Sequence, residues 1–264
     1  MSSTDLRTAL EHLGFQVRSI APLHGGDLSD VFRFESDHET VVAKSGQHVG
    51  IEARMLREMA KAGAPVPAVI AATDTLIVME HLSEVPPTAQ GWIEAGAALR
   101  TLHETQSPQN GWTEDYAFGS VKLNNRPATD WPSFWAERRL LPFAELFPDI
   151  GSRLERVCDR LPELIPHNAT NLLHGDLWSG NLLFSTRGAQ FIDPACYHGD
   201  AEVDLAMLHL FGAPPPAFWE GYGEPASDWH ARRPLYQLFP ALVHLALFGD
   251  GYRGLVERCL VPYL

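Results

Sequence analysis

The feature that most constrains this chain is a pair of polar motifs separated by one short β-hairpin. The first reads Leu173-His174-Gly175-Asp176-Leu177-Trp178-Ser179-Gly180-Asn181, and the second Phe191-Ile192-Asp193-Pro194-Ala195. Between them, Leu182-Leu183-Phe184 and Gln190-Phe191-Ile192 are β-prone runs joined across Ser185-Thr186-Arg187-Gly188. If these runs pair, Asn181 and Asp193 stand at the same end of the hairpin. Either motif alone is an ordinary turn between strands. Together they gather a carboxylate, a neutral amide and a second carboxylate, a set of hard oxygen donors.

The pattern on either side predicts an α+β chain of two lobes. Residues 1–82 are strand-rich, with short β-prone runs at 15–20, 31–34 and 40–44, and Gly25-Gly26 placed as a hairpin loop between the first two. Residues 50–62 carry Ile51, Met55, Leu56 and Met59 on one helical stripe, and Ala64-Pro65-Val66-Pro67 ends it. The run 76–80 is a continuous apolar strand. A linker at 83–87 opens the second lobe, 83–264, which reads as mostly helical around the hairpin. Helices are expected across 92–103, 131–147 and 150–165, and again from about Ala201 to the end. Trp131 and Trp135 share a helical face and read as core.

Charge and cysteine usage narrow the partners. Thirty-three acidic against twenty basic residues give a net charge of −13, which argues against nucleic acid or an anionic membrane as partner. The three cysteines, Cys158, Cys196 and Cys259, form no CxxC pair, so neither a disulfide framework nor a zinc site is suggested. No run reaches the length of a membrane span, and residues 1–10 lack the apolar core of a signal peptide. A cytoplasmic monomer is expected.

Asp176 and Asn181 have the D-x-x-x-x-N spacing of a kinase catalytic loop, and Asp193 follows a hydrophobic strand where a metal-binding carboxylate belongs. Phosphoryl transfer needs a base aimed at the attacking hydroxyl and cations on the β- and γ-phosphates. Asp176 fits the base, and Asn181 and Asp193 fit ligands of Mg2+. Upstream, Gly25 and Gly26 let backbone N–H groups approach phosphates. Lys44 and Glu52 fit the pair that positions the α- and β-phosphates of ATP, and Glu80, His81 and Leu82 form a hinge for adenine. His174 is expected to orient the loop. Asp204 is expected to cap a helix and brace the loop from behind.

The chain resembles the fructosamine kinases, or ketosamine-3-kinases, relatives of aminoglycoside phosphotransferases and choline kinases. HGDLWSGNLLF, the DPA-x-Y run through Glu202-Val203-Asp204-Leu205-Ala206-Met207, and the ending Phe248-Gly249-Asp250-Gly251-Tyr252 carry the resemblance. It extends over nearly the whole chain. It implies a two-lobed protein-kinase-like fold, with a small β-rich N-lobe and a larger helical C-lobe. It further implies ATP-dependent phosphorylation of the sugar 3-hydroxyl of a free or protein-bound ketoamine. Carried over, Trp178 stacks on the sugar, and Tyr197 and Glu202 lie near the acceptor. The sequence departs from the family pattern in three places: the Lys44–Glu52 segment is short, Gly119-Ser120-Val121-Lys122-Leu123-Asn124 is altered, and no arginine precedes Glu202. Those departures leave the acceptor open, with an aminoglycoside, choline or another amino alcohol as the alternative. A catalytically silent nucleotide-binding protein and a binuclear hydrolase built on His174, Asp176, Asp193, His198, Asp200 and Asp204 are the readings from other classes.

Overall fold

The structure is a computed structural model that describes residues 3–23, 29–37 and 39–264. Helix α1 (Ser3–His12) precedes β1 (Ser19–Pro22), β2 (Asp30–Glu35), β3 (Thr40–Ser45), α2 (Val49–Lys61), β4 (Val69–Ala72) and β5 (Leu76–Glu80). The strands make one antiparallel sheet in the order β1-β2-β3-β5-β4. Side chains alternate across a strand, and the two faces of this sheet have different coverings. Val41, Ala43 and Val78 pack with Leu6 and Leu10 of α1, whereas Ile77 and Met79 pack with Val49, Ala53 and Leu56 of α2. The same parity turns Lys44 toward α2. The sheet differs from the sequence pattern at both ends. β1 starts at Ser19 because Phe15 leaves the strand to meet Phe34 edge-on at 5.5 Å. The sequence patterning does not mark β4 or α1.

After a segment whose Glu84 makes an isolated bridge to Ser185, α3 (Ala89–Glu104) opens the larger region, capped by Thr88 Oγ1, which accepts from the Gly91 amide. A hairpin of β6 (Tyr116–Phe118) and β7 (Val121–Leu123) follows, also unmarked in the sequence. Helix α4 (Trp131–Trp135) continues through a π-helical turn, Ala136–Leu140, into α5 (Leu141–Leu146) and then α6 (Pro148–Leu164). Trp131, Phe134 and Trp135 are fully buried in the main core. Strands β8 (Asn171–Leu173), β9 (Leu182–Ser185), β10 (Gly188–Phe191) and β11 (Tyr197–Gly199) come next, with β9 paired to β10 and β8 to β11. Helices α7 (Glu202–Leu208), α8 (Pro216–Tyr222), α9 (Trp229–Phe248) and α10 (Arg253–Leu260) complete the chain. α8 lies directly against α3, where a Cβ on Gly96 would fall 2.1 Å from the Phe218 carbonyl oxygen. Among the described residues, no helix is long and apolar enough to cross a membrane.

Candidate active site

The β9–β10 hairpin pairs Leu182 with Phe191, and the Ile192 amide donates to the Asn181 carbonyl at 3.0 Å. Asn181 and Asp193 therefore sit at one end of it. On the other side, β8 pairs with β11, and the Ala195 amide donates to the His174 carbonyl at 2.8 Å. The loop carrying Asp176 is thus clamped between two small ladders. Gly175 turns it at φ +81°, and a Cβ there would meet the Ala195 carbonyl oxygen at 2.1 Å, so only glycine fits. The Asn181 side-chain amide donates to the Asp176 backbone carbonyl at 2.8 Å and to its carboxylate Oδ2 at 3.1 Å. Burial, with the Asp193 charge adding to it, pushes the Asp176 carboxyl well above the usual carboxylate range. A carboxylate of that kind is a better proton acceptor than one in water.

Lys44 Nζ lies 2.7 Å from Glu52 Oε2 and 3.0 Å from Asp193 Oδ1. Burial pulls its pKa down, but the two carboxylates outweigh this and hold it at about 12. Asp193 has φ +54°, the one non-glycine residue in the left-handed region among the described residues. Strain of this kind concentrates at functional sites. Lys44, Glu52, Asp176, Asn181 and Asp193 all line one cavity of about 1080 Å³. Trp178 lines it too and is 39% exposed, so it is a wall residue and not a core aromatic.

The other expected residues are not brought together there. Gly25 and Gly26 lie outside the described residues. Glu80 forms an ion pair with Arg187 on the β9–β10 turn, and neither it, His81 nor Leu82 lines the cavity. Tyr197 does not line the cavity: it is 1% exposed, and the Arg139 guanidinium sits 4.3 Å from its ring centroid, so it faces the core. Glu202 does not line the cavity either, and both its oxygens accept from Arg232, at 2.6 and 2.8 Å. The six residues of the hydrolase alternative do not converge. Asp200 accepts from the Tyr236 hydroxyl and the Glu202 amide, and both His174 ring nitrogens bond backbone groups.

Asp204 is inside α7 and is not its cap; Asp200 serves the helix start instead. Its buried carboxylate accepts from the backbone amides of His174 (2.7 Å) and Gly175 (2.9 Å) and from His103 Nε2 (3.1 Å). His174 Nδ1 in turn accepts from the Asp176 amide, while Nε2 donates to the Ile192 carbonyl. His174 thus ties the two motifs together. Tyr116 of β6, which no local pattern singles out, lines the cavity, and its ring centroid lies 5.8 Å from that of His48. Beside it, Arg54 of α2 holds Glu114 through two bonds of 2.7 Å. Only the three-dimensional fold makes those neighbours.

Known proteins share this arrangement of the chain. The profile of the fructosamine kinase family matches residues 2–264. A Thermus thermophilus relative named "Probable ketoamine kinase" is 34% identical over 252 residues, covering 90% of this chain and 92% of its own. One of the same name from Enterococcus faecium is 31% identical over 277 residues, covering 97% and 99%. A crystal structure from Thermobifida fusca, assigned as a fructosamine-3-kinase, superposes with a TM-score of 0.90 at 31% identity over 99% of both chains. Aminoglycoside phosphotransferase APH(4)-Ia, at 15% identity and a TM-score of 0.71 over the full length of both, shares the protein-kinase-like fold. With a five-stranded N-lobe, a helical C-lobe and a match across its length, the chain belongs to the fructosamine kinase family and is a phosphotransferase.

Proposed function

We propose that the protein transfers the γ-phosphoryl group of ATP to the sugar 3-hydroxyl of a ketoamine, a fructosamine or ribulosamine, free or protein-bound. The observation that carries this reading is the single cavity in which Asp176, bonded to Asn181, faces Asp193, bonded to the Lys44–Glu52 pair. Asp176 accepts the proton of the acceptor hydroxyl as that oxygen bonds to the γ-phosphorus and the bond to the β-phosphate bridging oxygen breaks. Lys44, kept charged and in place by Glu52, contacts the α- and β-phosphates. Trp178 covers the sugar face and keeps water from the reacting oxygen. The donor set fits Mg2+: the Asn181 amide nitrogen is turned to Asp176, which leaves its carbonyl oxygen for a hard cation beside the Asp193 carboxylate. When bound, that ion neutralises charge on the phosphates. A thermostable mutant of the fold relative APH(4)-Ia was solved with ADP and hygromycin B, and another with AMP-PNP and hygromycin B, which supports a nucleotide in this cleft. All three thiols are free, as a cytoplasmic setting requires.

The test is ADP release with Mg2+ and ATP against ribuloselysine, fructoselysine, an aminoglycoside and choline. Turnover on the ketoamines is expected, with kcat falling about 100- to 10,000-fold in Asp176→Asn while nucleotide affinity stays near that of the wild type. Turnover confined to choline or the aminoglycoside rejects the substrate, and an active Asp176→Asn rejects the base.

A further inference from the structure

Beyond Asp176, the cavity continues toward α7 and α9 and changes character. Of its lining residues from 203 onward, none among the described residues is Asp, Glu, Lys or Arg. The wall is instead a chain of rings running outward from Trp178. Its centroid lies 6.1 Å from that of Phe211, Phe211 5.1 Å from His244, and His244 5.5 Å from Phe248 and 5.0 Å from Tyr252. Three of these rings leave much of their surface uncovered: Trp178 is 39%, Phe211 49% and Phe248 47% exposed. Grouped apolar surface of this kind at a cavity mouth marks a binding surface.

The charged residues nearby are turned to other partners. Glu202 is held by Arg232, Asp204 braces the loop, and Asp250 pairs with Arg253. His244 Nδ1 donates to the Pro240 carbonyl at 2.8 Å, which in the neutral ring leaves Nε2 as an acceptor. Burial also lowers the His244 pKa. A polycation finds no carboxylate on this wall, and a substrate carboxylate finds no guanidinium or ammonium. A secondary ammonium beside an apolar stem finds ring faces for its charge and apolar surface for its chain.

We infer that Phe211, His244, Phe248 and Tyr252 form an aromatic subsite that selects ketoamines whose amine carries an uncharged apolar substituent, against polycationic and carboxylate-bearing ones. This rests on the proposed function, since the sugar hydroxyl must be the group at Asp176. The subsite receives the part of the substrate beyond the amine, while Trp178 covers the sugar.

The test uses one ketose, 1-deoxyfructose, joined in turn to hexylamine, methylamine, glycine, spermidine and Nα-acetyl-lysine amide. For the full-length enzyme, kcat/KM for the hexylamine compound is expected to exceed that for the methylamine compound by at least about tenfold. The glycine and spermidine compounds fall below hexylamine. Activity on the acetyl-lysine amide equal to that on hexylamine assigns the apolar stem to a lysine side chain, and much lower activity assigns it to a free amine; the aromatic subsite stands in both cases. In the double variant Phe211→Ala/Phe248→Ala the hexylamine-to-methylamine ratio drops about tenfold, a change that a general loss of folding does not produce. Glycine or spermidine as the best substrate overturns the inference, and so does an unchanged ratio in the variant. Calorimetric titration of the same compounds separates the two readings. If no ketoamine is phosphorylated yet hexylamine binds in preference through Phe211 and Phe248, the proposed function fails and the subsite stands. Equal affinities without turnover overturn both.

Discussion

Replacing Asp204 by Asn removes one negative charge from a fully buried site while preserving shape. The carboxylate receives three donors: the His174 and Gly175 amides and His103 Nε2. An asparagine keeps one acceptor oxygen, which suits the Gly175 amide at Oδ1. Its NH2 group then takes the place of Oδ2, opposite two donors. His103 can adapt by shifting its proton to Nδ1, where the Tyr222 hydroxyl at 2.9 Å becomes an acceptor. The His174 backbone N–H has no such alternative. One buried amide left unpaired costs about 1–3 kcal/mol, and the lost charge-assisted bonding a further 1.5–3 kcal/mol or so. A destabilisation of about 2.5–6 kcal/mol follows, which brackets the roughly 3–5 kcal/mol for breaking a buried charged pair. The loop it displaces carries Asp176, so kcat should fall about 100-fold at unchanged nucleotide affinity. Urea unfolding gives the first quantity and steady-state kinetics the second. A loss below about 1 kcal/mol with kcat intact would refute the bracing role.

Three further outcomes follow from the same geometry. Glu52→Gln releases Lys44 to Asp193 alone and should raise the KM for ATP about tenfold; calorimetry with a non-hydrolysable nucleotide checks this, and unchanged binding counts against the pair. Gly175→Ala forces a Cβ to 2.1 Å from the Ala195 carbonyl at φ +81°, so a loss of at least about 2 kcal/mol is expected, and a melting temperature equal to wild type would contradict it. Burial depresses the pKa values of His174, His198, His209 and His244 below the ordinary 6.5. Below that pH the unfolded chain binds protons that these folded histidines refuse, so they remove stability as pH drops from 6.5, while the raised carboxyls of Glu52, Asp176 and Glu202 act in the opposite sense. A His198→Gln variant should therefore lose less urea stability than wild type between pH 7.5 and 5.5, and an equal loss in the two would exclude this.

What was legible in the sequence depended on how far a residue's meaning travels along the chain. The hairpin between Asn181 and Asp193 could be read because its register and turn are local, and the Leu182–Phe191 pairing follows the apolar runs. Lys44 could be read because strand parity fixes its face and Glu52 opens the next helix. The short segment between them still closes a 2.7 Å contact. Helix α1 is not legible because only Leu6 and Leu10 of it are buried, too few to make a stripe. The resemblance alone puts Tyr197 and Glu202 near the acceptor. Their true neighbours, Arg139 and Arg232, lie at sequence distances that no local pattern spans. The acceptor wall is the extreme case. Trp178, Phe211, His244, Phe248 and Tyr252 come from a loop, the bend after α7, α9 and the turn that follows it. Each taken singly is an unremarkable aromatic, and α9 bears enough apolar residues to pass as a buried helix. The phosphoryl-transfer groups are bound to one another by short-range geometry, so their spacing survives in the sequence. Acceptor selectivity is assembled from the surfaces of separate helices, and it is written only in how those helices pack.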